Sequence, residues 1–246
     1  MKSVYSIIFF IFISGKCYSE QITSIDLKTI QYADIYSAEN VLIKLKDMYN
    51  AEGEYSLESV IPAVNNRILT ILYELNNEKR YLGDAEGEFL GDLIWVLSVA
   101  GDMRAKEALL NAMVSPYIFG EIISKGLFKL GPIILPDILN YYYTENKEYI
   151  KKAIPILIYF AEKDSTGNFF PNNSKNKIKQ KLVTLVKDND EMLRYFSVKA
   201  LGFFGDSTVI PLLNEIRESD IIQFNNGVYP VRSVANESIK RLERKK

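Results

Sequence analysis

The sequence contains no histidine and a single cysteine, Cys17. Without histidine there is no Ser-His-Asp triad, no Cys-His dyad and no imidazole-based metal centre. Only carboxylate, lysine, tyrosine, hydroxyl and arginine chemistry remains open to catalysis. An excess of charge of one sign is also missing. The 30 basic and 31 acidic residues leave a formal net charge of −1, so no overall field draws the chain to nucleic acid or to an anionic membrane. Sustained alternation of apolar and polar residues, the mark of a half-buried strand, is absent as well. What is present is the balance of a folded chain: 48% apolar and 25% charged among 246 residues, enough for one extended domain or two small ones.

The first residues have the pattern of an export signal. Lys2 precedes a nearly unbroken apolar run from Val4 to Ile13, about half the length a membrane-spanning helix needs. Polar and small residues follow, ending in Cys17-Tyr18-Ser19, with small residues at the first and third places. The expectation is a signal peptide over 1–19, cleaved after Ser19, and a protein delivered to the periplasm or secreted. The alternatives are a retained anchor or a buried helix. A lipoprotein fits less well, because Lys16 directly precedes Cys17. Cleavage would leave a chain with no cysteine, hence no disulfide, and with no stable membrane span.

Over the rest of the chain one pattern recurs: an apolar helix, a short Gly/Asp turn and a second apolar helix. The clearest copy runs from Asp188 to Leu213. Ser197, Ala200 and Leu201 lie at helical spacing. Gly205 is expected to end the first helix in a left-handed cap. Asp206 or Ser207 would cap the second, with Pro211 in its first turn. Further copies lie around Gly101-Asp102 and Gly131-Pro132. Ile150 to Ala161 reads as a first helix with Pro155 inside it and with Lys175 to Lys187 as its partner. Val231 to Ile239 repeats Leu193 to Leu201. Ala38–Tyr49 and Leu57–Leu75 read as earlier helices. Breaks are expected at Asn50–Ser56, Gly83–Gly87, Asp164–Ser174 and Gln223–Pro230, the third being the long surface loop.

Asp188-Asn-Asp190, Leu193-Arg194, Ala200-Leu201-Gly202 and Gly205-Asp206…Ile210-Pro211-Leu212-Leu213 resemble the HEAT-like repeat of phycobilin lyases. The resemblance covers about two thirds of residues 20–246 and is clearest over 85–246. It implies an all-α fold, an α-solenoid (an α-α superhelix) of HEAT-like helical hairpins, with 20–246 as one domain. Second helices in such solenoids tend to line the concave face, and most proteins of this kind look like binding scaffolds. The pocket residues that bilin chemistry would need are not found in this chain. The physics agrees with the architecture, because one helical pair cannot bury its apolar face alone whereas stacked neighbours make a continuous core.

The candidate binding residues are Asp137, Asn140, Tyr141, Tyr142 and Tyr143. Three consecutive helical tyrosines spread over about 200°, so they cannot share one buried face. An exposed tyrosine offers a large contact area at low entropic cost. The plainer account is a mixture of core and surface positions. Asp188, Asp190 and Arg194 read as caps and inter-repeat pairs, and Lys175, Lys177, Lys179 and Lys181 as a solvated helix face. No cofactor or metal set is found. The reading is an exported non-catalytic scaffold that binds a protein or peptide, not nucleic acid. The alternatives are an α/α-toroid carbohydrate-active enzyme working through carboxylates and a periplasmic immunity or inhibitor protein.

Overall fold

The computed structural model describes residues 27–31, 34–52, 57, 59–78, 82–115, 120–221 and 229–244. The expected export signal, Cys17 and most of the break before Pro230 lie outside the described residues. Within them the fold is all-α, with no strand. The chain divides into two compact units, Met1–Leu130 and Gly131–Lys246.

The first unit contains α1 (Ile35–Glu52), α2 (Ile61–Glu78), α3 (Asp84–Ala100), α4 (Lys106–Val114) and α5 (Glu121–Lys129). Its centre is α3, which packs on α1, α2 and α5, while α4 packs on α2 and α5. A helix surrounded in this way needs a wide apolar stripe. That is why α3 buries Phe89, Leu90, Leu93, Ile94, Val96 and Leu97. Fully burying a leucine contributes about 2 kcal/mol, so α3 alone contributes a large share of this unit's core.

The second unit contains α6 (Leu135–Tyr142), α7 (Lys147–Lys163), α8 (Asn172–Leu185), α9 (Glu191–Phe204), α10 (Ile210–Ser219) and α11 (Pro230–Glu243). Here α9 is the centre, packed on α7, α8 and α11, with α10 on α11 and α6 on α7. Within each unit, helices contact both the next helix and the next but one, the pattern of stacked helical pairs.

Small residues set how closely the stacked helices approach. Ser98 on α3 faces Gly126 on α5, and a Cβ on that glycine would lie 2.8 Å from the Ser98 Cα. Gly202 on α9 faces Ser238 on α11 in the same manner, at 3.0 Å.

The expectation for Gly205 needs correcting. Its φ is −79°, which any residue adopts, so no left-handed cap is formed there. Glycine is required for space: a Cβ would meet the Leu201 carbonyl oxygen and the Val209 side chain at 2.7 Å or less. Gly101, by contrast, does adopt the left-handed conformation, with φ 64°. Both turns lead into a 3-10 turn capped by the following acid. Asp102 accepts from the Arg104 amide, and Asp206 from the Thr208 amide.

The expected long loop at 164–174 is shorter and better anchored than its composition suggests. α8 begins at Asn172, and Phe169 and Phe170 are buried. Their rings join Phe160 of α7 to Phe204 of α9, with successive centroids 4.7, 5.6 and 5.0 Å apart. Asp164 ties the connection down by accepting from the amides of Asn168 and Phe169.

Candidate recognition surface

The most distinctive exposed surface of the second unit is built on α6. Pro132 opens the 3-10 turn Pro132–Ile134, and Pro136 lies in the first turn of α6, where the missing N–H costs nothing. Leu135, Ile138 and Tyr142 form the buried stripe of the helix. At 3.6 residues per turn, Asn140 lies about 160° from Tyr142, and Tyr141 and Tyr143 lie about 100° to either side. The candidate set therefore divides. Asn140 is exposed at the middle of the solvent-facing arc, Asp137 and Tyr141 are half-buried at one edge, and Tyr143 is exposed at the other.

Tyr142 does not belong to that surface. It is fully buried, and its hydroxyl donates to the Ile178 carbonyl of α8 at 3.0 Å. Burial, with the neighbouring Tyr143 adding to it, pushes its phenol well above the ordinary tyrosine range. Its placement as a binding residue is corrected accordingly: it is the bolt that fastens α6 to α8.

The two edges have different neighbours. The Tyr141 ring meets Tyr149 of α7 edge-to-face, with centroids 5.5 Å apart. Burial raises the Tyr141 phenol, and the nearby Tyr149 and Asp137 raise it further. On the other edge, the Lys181 ammonium of α8 donates to the Thr144 carbonyl at 3.1 Å. It stands 5.4 Å from the Tyr142 ring and 5.8 Å from the Tyr143 ring. Burial lowers the pKa of Lys181, and Glu145 partly opposes that shift. Ile133, on the turn leading into α6, is 66% exposed. Tyr149 and Ile133 were not among the residues singled out from sequence. Neither carries a local motif, and only the fold brings Tyr149 to Tyr141.

The lysines of α8 do not form one face. Lys179 turns toward the next helical pair and meets Asp206 at 2.8 Å. Lys175 reaches the Gly167 carbonyl at 3.5 Å. Lys181 lies on the α6 side, and Lys177, one turn before it, is exposed on that same side.

Asp188, Asp190 and Arg194 are joined to their neighbours. Asp188 pairs with Lys147 at 2.7 Å, and Asp190 with Lys151 at 3.0 Å. Asp190 also caps α9 by accepting from the amides of Met192 and Leu193. Burial pushes the Asp190 carboxyl up, but these bonds outweigh it and hold the group below the usual range. Arg194 donates to the carbonyls of Asp188 and Asn189 and pairs with Asp220 at 3.0 Å.

An open hollow of about 590 Å³ lies along α11, lined by Glu237, Lys240, Arg241 and Arg244. Among the described residues the lining comes from α11 and its C-cap Arg244, and the Arg241 guanidinium lies 3.8 Å from the centre of the Phe203 ring. Among the described residues, no group of three or more Cys, Asp or Glu side chains is arranged to hold a metal ion, and no helix is long and apolar enough to cross a membrane. Compared with known proteins, the chain matches no family model and no curated protein.

Proposed function

We propose that the protein is an exported, non-catalytic helical scaffold of the HEAT-like type that binds a protein or peptide partner on the α6 face of its second unit. The observation that carries this reading is the arc of Asp137, Asn140, Tyr141 and Tyr143, with Tyr149 beside it. Aromatic rings are displayed there on a rigid helix that Tyr142 fastens from below. Tyrosines held in this way lose little entropy on binding and commonly dominate interfaces. The HEAT-like assignment is supported by the stacked pairs of each unit and by the acid-capped 3-10 turns at Asp102 and Asp206. Export is supported by the pattern of residues 2–19.

The test is capture of a partner by the full chain from the extracytoplasmic fraction, repeated with Tyr141→Ala/Tyr143→Ala and with Asn140→Arg. Each truncated contact tyrosine should cost about 2 kcal/mol of binding, roughly thirtyfold in affinity. Tyr142→Phe keeps the ring and should leave the surface intact. A partner retained equally by wild type and by both surface variants would remove the assignment of this face. Mass spectrometry of the exported protein should find Glu20 as its first residue.

A further inference from the structure

The α6–α8 edge of this surface carries information about the kind of partner. From Asn172 to Lys187 the chain contains Lys175, Lys177, Lys179, Lys181 and Lys187 and no carboxylate. The fold sorts these lysines. Lys179 is drawn away to Asp206, on the side of the following helical pair. Lys177 and Lys181 lie four residues apart on the side facing α6. There Lys181 stands beside Tyr143, whose ring is 5.8 Å from its nitrogen, with the Glu145 carboxylate also near it. Asn140 lies about 60° further round α6. The edge thus combines two cations one helical turn apart, one carboxylate (Glu145), an exposed aromatic ring and an exposed amide. The Lys181 nitrogen is held in place by the Thr144 carbonyl, so its position is set before any ligand arrives.

We infer that the edge between α6 and α8 binds an acidic peptide segment, with carboxylates set against Lys177 and Lys181 and an apolar or aromatic side chain against Tyr143. Lys177 and Lys181 outnumber the one carboxylate, Glu145, and charge complementarity selects this occupant. Two lysines at one-turn spacing match carboxylates spaced along a peptide, whereas the isolated ring and single amide provide no row of stacking platforms for the bases of a nucleic acid. The inference rests on the proposed function, because it names the partner chemistry for the same face.

The experiment is selection of random dodecapeptides against the full-length protein, followed by affinity measurement of the enriched peptides on variants. The expected outcome is a set rich in Asp and Glu, weakened about tenfold or more by Lys177→Glu and by Tyr143→Ala, and weakened further as salt rises. Both altered residues are exposed, and circular dichroism of each variant verifies the fold. Peptides that depend on Tyr141 or Tyr143 but carry no excess of acid, or that bind the Lys177→Glu variant unchanged, would overturn the inference and leave the proposed function standing. Peptides indifferent to Asn140, Tyr141 and Tyr143 alike would overturn both. A single-stranded oligonucleotide that binds as tightly as the selected peptides, with the same dependence on Lys177, would replace the acidic-peptide inference with a general polyanion surface.

Discussion

In the second unit Arg194 meets Asp220 where their side chains are only 14% and 7% exposed, whereas in the first unit Lys46 meets Asp92 with both about one-third exposed. Similar contrasts recur. In the second unit, Lys147–Asp188, Lys151–Asp190 and Lys179–Asp206 bridge successive elements, and Asn146 and Asp190 cap α7 and α9. Caps do not separate the units. In the first, Asp34 caps α1 by accepting from the Ser37 amide, while α3 and α5 start without a side-chain cap. In the second, α6, α8, α10 and α11 also start without one. Yet the apolar cores are built alike, and the Ser–Gly approach of alternate helices occurs in both. Apolar packing is therefore sufficient to stack helical pairs. Among the described residues, the partly buried ion pairs between elements of the second unit are an added layer on that packing.

The comparison can be broken experimentally, and the largest effect should come from the ionic layer. Arg194→Ala would remove the ion pair with the nearly buried Asp220 and the bonds to the carbonyls of Asp188 and Asn189. The expected loss is about 3 kcal/mol in denaturant unfolding. Lys46→Ala should cost about 0.5 kcal/mol, since an exposed pair contributes little. Equal losses would deny the contrast.

The shared feature should respond in both units. Gly126→Ala forces a Cβ to within 2.5 Å of the Ser98 hydroxyl, and Gly202→Ala to within 2.9 Å of the Ser238 hydroxyl. Overpacking should outweigh the roughly 1 kcal/mol gain in helix propensity. Net destabilisation of about 2 kcal/mol is expected for Gly126→Ala and less for Gly202→Ala, read from urea midpoints. The smallest effect distinguishes the caps. Asp190→Ala should cost about 1 kcal/mol. Gly83→Ser should stabilise by a few tenths of a kcal/mol, because Gly83 has extended cap geometry and open space at its Cβ.

The same difference explains what could be read from the sequence. Asp188-Asn-Asp190, Arg194 and Gly205-Asp206 stand out because polar residues at fixed spacing are doing identifiable jobs, so the helices and turn from 188 to 213 were legible. The first unit is held largely by Leu, Ile and Val at helical spacing, which announces a helix but not its partner. Gly205 ends its helix as the sequence pattern suggests, but for want of space and not through a left-handed cap. Crowding by Leu201 and Val209 depends on how the turn folds back, which no local rule reports. Within the candidate surface, the spread of three consecutive tyrosines was predictable from helix geometry. That Tyr142 would be the buried one follows from the phase of the α6 stripe. The Tyr149 and Lys181 neighbours come from other helices and carry no signal in the local sequence.

Acid unfolding tests the contrast between the units most directly. Lys179 and Thr208 hold the Asp206 carboxyl far below its usual range, and Lys147 holds Asp188 low; Asp190 and Asp164 are also depressed, against the burial that pushes them up. Carboxyls depressed in the folded state contribute stability above the unfolded value, near pH 3.9, and lose it as pH falls through their folded values. All four lie in the second unit, and in the first Asp102 is held low by Arg104. With no histidine in the chain, no imidazole adds pH dependence between pH 5 and 8. The single tryptophan, Trp95, lies on α3 with the Tyr49 ring 5.3 Å away, so its fluorescence reports on the first unit. Far-UV circular dichroism reports both units. On lowering the pH below about 4, helical signal should fall before Trp95 fluorescence changes. Coincident transitions, or a fluorescence change that comes first, would contradict an ionic layer that, among the described residues, lies mainly in the second unit.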